Sequence, residues 1–181
     1  MLWEAIILGI ITGWLRKGSL KSLNQLSLPG WPLVAMAILF QAVIWVDFAT
    51  DSLFLEHYYP YLYITSFFLL LTFLFNAFYR NSEQVGFLIA GIGVYLNLLV
   101  ISANGGLMPV DSTNIPLQAS EQLASGDSSP YHTAISDDTR LELLGDTISL
   151  PYKINQLLSI GDLILAAGVF YIIQHEMTRK R

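Results

Sequence analysis

Val85–Ala103 reads VGFLIAGIGVYLNLLVISA, a stretch without a charged side chain from end to end. A helix of about 20 residues, with ~17 to 25 tolerated, is needed to cross a hydrocarbon core of ~30 Å. The segment meets that length, and Trp31–Thr50, Leu62–Tyr79 and Leu157–Gln174 approach or meet it as well. Leu2–Leu15 is a fifth apolar run, only fourteen residues long and carrying Glu4. It lacks the basic start and small-residue cleavage site of a signal peptide.

The rest of the composition agrees. Of the 181 residues 54% are hydrophobic and 13% charged, with a positive mean hydropathy, whereas soluble domains carry about 25% charge. The reading is an integral membrane protein. No basic patch points to nucleic acid, so none is expected as a partner; the expected surroundings are the lipid bilayer. The absence of cysteine excludes disulfides, thiolate nucleophiles, iron–sulfur clusters and cysteine-ligated zinc.

Lys and Arg in short loops stay on the cytoplasmic side. Five spans with the N-terminus outside and the C-terminus inside put Arg16, Lys17, Lys21, Arg80, Arg179, Lys180 and Arg181 inside, seven of the nine basic residues. Only Arg140 and Lys153 then lie outside. The predicted class is an all-α polytopic membrane helix bundle of about five transmembrane helices, in the cell membrane. Residues 1–103 hold four spans, 104–156 an extracytoplasmic, partly ordered insert, and 157–181 the last span and a basic tail. Within 18–28, Leu20, Leu23 and Leu26 share one side of a helix with Lys21 and Asn24 turned away, as for a helix lying on the inner surface. Pro29 and Gly30 would end it. The hairpin DSLFLEHYYPYLY is then outside, its tyrosines forming an interfacial belt.

Within the insert, ASEQLASGDSSP reads as a mobile surface loop because Ser, Gly and Asp dominate it. SDDTRLELLG reads as a helix, with Ser136 or Asp137 as N-cap, leucines at 141, 143 and 144, and Gly145 as its stop. DTISLP then runs extended. An insert of this length is too long for a mere connector and is expected to pack over the outer mouth of the bundle.

Two acids frame its end. Asp162 stands at the head of the last apolar run, three residues after Ser159, which is the spacing of a capping box. Asp146 follows a glycine turn, where acids are ordinarily surface residues. The alternative for both is a pair: the short connection through Pro151 would fold Asp146 back over the start of the last span. Two carboxylates held together share a proton and can activate water as base and acid.

Asn104, Gly105 and Gly106 follow the fourth apolar run. They form either a binding turn that presents backbone amides or a helix stop in left-handed conformation. Asn97 and Gly93, on one face of that run, read as helix packing. His132, Asp137 and Asp138 lack the tight spacing of a metal site, and no metal or cofactor is expected. His57 reads as interfacial. His175 falls at the inner edge, away from the other histidines, so paired haem ligands are not expected.

GWLRKGSLKSLNQLSLPGWPL, NGGLMPV, His132, TRLELLGDTISLP and SIGDLILAAG together resemble a family of small bacterial multi-pass membrane proteins with a domain of unknown function. That resemblance implies an envelope protein and brings no activity. More locally, LLGDTI and SIGDLILAAG are similar to the two acid-bearing strips of lipoprotein signal peptidases in order, spacing and side of the membrane. By that likeness Asp146 and Asp162 would be a catalytic dyad, with Asn104 as a polar neighbour. Ser159 stands where those enzymes have Asn, their upstream G-N-x-x-D-R signature has no counterpart beyond Asn104 and Gly105, and the insert is longer. The functional expectation is therefore a non-enzymatic accessory or binding component. Its polar site would lie on the outer face around Asn104, Gly105, Gly106, His132 and Ser159, and meet another envelope protein or a lipid-linked ligand. The alternative is an aspartyl membrane hydrolase.

Overall fold

A computed structural model describes residues 2–52, 54–81, 84–114, 116–125, 129–150 and 157–179. Its long helices are α1 (Leu2–Leu15), α2 (Trp31–Ala49), α3 (Tyr59–Arg80), α4 (Val85–Ala103) and α6 (Ile160–Thr178). All but α1 are long and apolar enough to cross a membrane, so the chain reads as a multi-pass membrane protein. At 1.5 Å per residue the 19 residues of α4 span about 28 Å. The 14 of α1 span only about 21 Å.

The helices pack as a row, α2–α3–α4–α6–α1. Its centre is the antiparallel seam of α4 and α6, where small residues let the backbones touch. A Cβ on Gly93 would lie 2.5 Å from the Gly161 carbonyl oxygen, and one on Gly168 would lie 2.4 Å from the Ala90 amide nitrogen. Leu74, Ala77, Phe87, Ala90, Val94 and Ile172 form the apolar core beside this seam. On the far side α1 runs parallel to α6, with Gly9 level with Ile173 and Gly13 level with Met177. Buried Gln174 ties the two together: its amide donates to the Gly9 carbonyl and the Thr12 hydroxyl, while Arg16 donates to its Oε1 at 3.0 Å. Between α2 and α3, Gln41 donates to Ser66 at 3.0 Å. Where hydrophobic burial cannot discriminate protein from lipid, such bonds and close approaches hold helices together.

Several boundaries depart from expectation. α3 starts earlier than Leu62 because Pro60 suits its first turn. The last helix starts later than Leu157: Leu157–Leu158 form a strand, and Ser159 caps the helix behind them. It continues past Gln174 to Thr178, carried by Glu176, which is buried and accepts from Gln84 at 2.6 Å. Instead of a regular surface helix, residues 18–28 hold one 3-10 segment, Leu20–Gln25, capped by Ser19. Leu23 and Leu26 are half-buried there, while Leu20 is exposed.

The insert lies across the end of the bundle formed by the C-termini of α2 and α4 and the N-termini of α3 and α6. Its strand β1 (Met108–Val110) pairs in parallel with β2 (His132–Ala134). On the other side of β1, Asp146 donates its amide to the Pro109 carbonyl at 2.8 Å and accepts from the Asp111 amide at 3.0 Å. β3 (Ile148–Ser149) then pairs antiparallel with β4 (Leu157–Leu158). The expected mobile loop contains a helix, α5 (Leu117–Ser125). Pro116 precedes its first turn and Leu123 is buried; Gly126–Ser128 lie outside the described residues. The expected helix over 136–145 is reduced to a single 3-10 turn, Glu142–Leu144. Arg140 is held by its backbone to Asn104, and Leu141 takes a left-handed conformation, so a helix cannot run through. Gly145 is extended rather than a left-handed stop; a Cβ there would lie 2.7 Å from the Pro109 carbonyl oxygen.

Candidate functional site

The strand register explains how the acids meet. Paired residues of a parallel ladder point to one side, as do alternate residues of a strand. Met108 is paired with His132, and Val110 with Asp146. His132 and Asp146 therefore share one face of the small sheet. The pairing of Ile148 with Leu158, continued by two residues, brings Asp146 opposite the head of α6. Asp146 thus stands within electrostatic reach of Asp162; the connection through Pro151 lies outside the described residues.

At that head the capping box is complete. The Asp162 amide donates to Ser159 Oγ at 2.9 Å, and the Ser159 amide donates to Asp162 Oδ2 at 3.3 Å. Asn97 joins from α4: its Nδ2 donates to Asp162 Oδ1 at 2.8 Å, and its Oδ1 accepts from the Ser159 hydroxyl at 2.8 Å. Both Asn97 and Ser159 are buried. Asn97 is a packing residue, as the sequence suggests, and also the link between cap and bundle. Its neighbour is Gly161, where a Cβ would lie 2.0 Å from Asn97 Oδ1.

Asp146 is not a surface acid. It is 8% exposed, and its Oδ1 is buried with no hydrogen-bond partner among the described residues. Its Oδ2 lies 3.7 Å from His132 Nε2, within ion-pair range but beyond a good hydrogen bond. Burial, with the charge of Asp162 added to it, pushes the Asp146 carboxyl up to about 7. Burial pushes His132 below its usual value, an effect the Asp162 charge opposes. The other ring nitrogen of His132 is 2.7 Å from the Ser129 hydroxyl.

Two tyrosines wall the site. Tyr63 of α3 stacks at a tilt on Tyr131, centroids 4.7 Å apart, and its phenol lies within electrostatic reach of both carboxylates. The Tyr131 hydroxyl donates to the Gln41 carbonyl and so fastens the insert to α2. Tyr63 belongs to a stretch that reads as an interfacial belt, yet it turns inward; nothing in its local sequence distinguishes it from its neighbours.

The turn at 104–106 closes α4. Gly105 and Gly106 have positive φ, and the Gly106 amide closes on the Ile101 carbonyl at 2.9 Å, the Schellman form of helix stop. Asn104 clasps Arg140, donating to its carbonyl at 2.8 Å and accepting from its amide at 2.9 Å. Gly105 is open on its outer side, while Gly106 is packed on Pro60. Among the described residues no group of His, Asp and Glu has the arrangement of a metal site.

A family model for DUF5317, a family of unknown function, matches residues 25–174. The chain belongs to that family. The matched part runs from the end of the 3-10 segment through most of α6, so it contains Asn97, His132, Asp146, Ser159 and Asp162 and leaves out α1. No match was found among curated proteins or among solved structures.

Proposed function

We propose that this member of the DUF5317 family is a non-enzymatic binding component of a bacterial cell membrane, with its polar site on the extracytoplasmic face. In this reading α1 is a fifth span entering from outside, which its parallel course beside α6 supports. Residues 1–103, 104–156 and 157–181 are then four spans, outer insert, and last span with an inner tail. The observation that carries the binding role is the buried Asp146 Oδ1 with no donor among the described residues. A buried acceptor without a donor costs ~1 to 3 kcal/mol, which a ligand or partner donating an N–H or O–H would relieve. His132 and Ser159 edge the site, and the turn at Asn104, Gly105 and Gly106, open at Gly105, gives a partner a place to rest. Photo-crosslinkers at exposed Asp138 and Leu143 should recover one specific envelope species, with less recovered from Asp146→Asn. Recovery of bulk lipid alone overturns the reading.

A second reading is an aspartyl membrane hydrolase, similar to lipoprotein signal peptidase. It is favoured by the unequal surroundings of the two acids: Asp162 accepts two hydrogen bonds, while Asp146 is raised toward neutrality by burial and by the charge of Asp162. Such inequality suits one acid and one base acting on a water. Asp146→Asn and Asp162→Asn should each abolish a cleavage product in envelope peptide profiles while leaving the protein folded. Cleavage retained in both removes this reading.

A further inference from the structure

The opposite end of the bundle holds a cleft that the polar site does not explain. It measures about 540 Å³ and lies between the end of α1, the 3-10 segment and the end of α6. Arg16, Lys17, Ser19, Lys21, Ser22 and Arg179 line it. We propose that this cleft binds a phosphate group, in the first instance the headgroup phosphate of an anionic lipid.

The cleft is built rather than incidental. The Ser19 amide donates to the Met177 carbonyl at 2.9 Å, and Gly18 packs so closely that a Cβ there would lie 2.6 Å from the same oxygen. The loop is thereby fixed on α6. Gln174 orients Arg16 through one nitrogen, and among the described residues its other N–H groups meet no acceptor. Lys17 is the most telling residue. The Gly18 amide closes on the Gly13 carbonyl at 2.9 Å, which is a Schellman stop, and Lys17 occupies its left-handed position with φ 62°. Glycine fills that position without strain. A lysine in that position is strained, and strain of this kind gathers at functional sites.

Depth selects the source of phosphate. Trp14, Leu15 and Leu20 flank the cleft in sequence and are 75%, 74% and 55% exposed. Large apolar side chains at the end of a span lie at the level where acyl chains meet headgroups. Lys17 and Lys21, beside them, are then at the level of lipid phosphates. Among the described residues, Glu176 on the last turn of α6 is buried and engaged by Gln84, with Arg179 at 3.9 Å. The ends of α1 and α6 also favour nearby cations through their dipoles, a role that needs no ligand, so the test includes a basic residue outside the cleft.

The full chain, purified in a neutral detergent, is titrated with phosphatidylglycerol, with phosphatidylcholine and with inorganic phosphate, reading lipid retained by native mass spectrometry and the shift in melting temperature. Phosphatidylglycerol should be retained and should stabilise, and phosphatidylcholine should not. At about fivefold per basic residue near the surface, Lys17→Gln with Lys21→Gln should weaken binding ~25-fold, while Lys17→Arg with Lys21→Arg and Arg80→Gln keep it. Equal stabilisation by inorganic phosphate, lost in the same glutamine pair, supports the site and assigns it to free phosphate. Equal loss in Arg80→Gln means general attraction to a basic end and overturns the proposal. Retention unchanged in the glutamine pair, or no preference for phosphatidylglycerol, overturns it as well.

Discussion

Asn97 of α4 and Asp162 of α6 are joined by a 2.8 Å hydrogen bond at the insert end of the bundle. The same asparagine accepts from the Ser159 hydroxyl, so helix cap and helix seam form one network. A hydrogen bond to a charged group contributes about 1.5–3 kcal/mol. Asn97→Leu should therefore lower unfolding stability in detergent by about 2 kcal/mol, leaving Asp162 Oδ1 without that donor. Asn97→Asp should be worse, since it sets a second carboxylate against the first. Equilibrium unfolding of both variants, followed by circular dichroism, checks the order.

Asp162→Asn keeps the shape of the capping box and removes its charge. Loss of the first-turn charge and a weaker box should cost about 1 kcal/mol. The distinguishing effect is remote: the Asp146 carboxyl should titrate lower, because the charge of Asp162 helps to raise it. Reactivity of Asp146 toward a carbodiimide as a function of pH would record the shift.

Stability should depend on pH through two groups of opposite sign. The folded state raises Asp146 to about 7, against about 4 in the unfolded chain. Its contribution is fully present below about pH 4 and is lost as pH rises through about 7. Asp146→Asn should remove that loss and melt higher than the parent at pH 8. His132 is lowered by folding, so its contribution is present above about pH 6.5 and is lost as pH falls below that. His132→Gln should therefore remove that loss on the acid side and leave the loss above about pH 7 in place. Melting temperatures of the three proteins from pH 4 to pH 8 test both signs.

Gly168 faces the Ala90 amide on the α4–α6 seam. Gly168→Val forces two backbones apart and should cost about 2 kcal/mol or more, the order of overpacking a tight core. Gly105→Ala meets nothing within 4 Å and should lose only about 1 kcal/mol, from its left-handed conformation. A thermal-shift comparison of the two separates packing from backbone strain.

The long helices were legible because uncharged length is a strong signal, and the Ser159–Asp162 box because its residues lie within one helical turn. The short strands were not, since two or three residues carry no readable alternation. That gap hid the burial of Asp146, which depends on β1 and β3 rather than on the glycine beside it. α5 was masked by a composition rich in Ser, Gly and Asp, although buried Leu123 holds it in place. For Asn97 the sequence signals packing alone, because its partner on α6 is 65 positions away. In the sequence Lys17 is one more topological charge; among the basic residues described, its φ sets it apart.

The most direct measurement is the titration of Asp146 in protein labelled with carboxyl-¹³C aspartate, assigned by Asp146→Asn and repeated in Asp162→Asn. A buried carboxyl coupled to Asp162 should titrate near 7 and move down when Asp162 is neutralised. An Asp146 that titrates near about 4, unmoved by Asp162→Asn, would contradict a shared polar site at the head of α6.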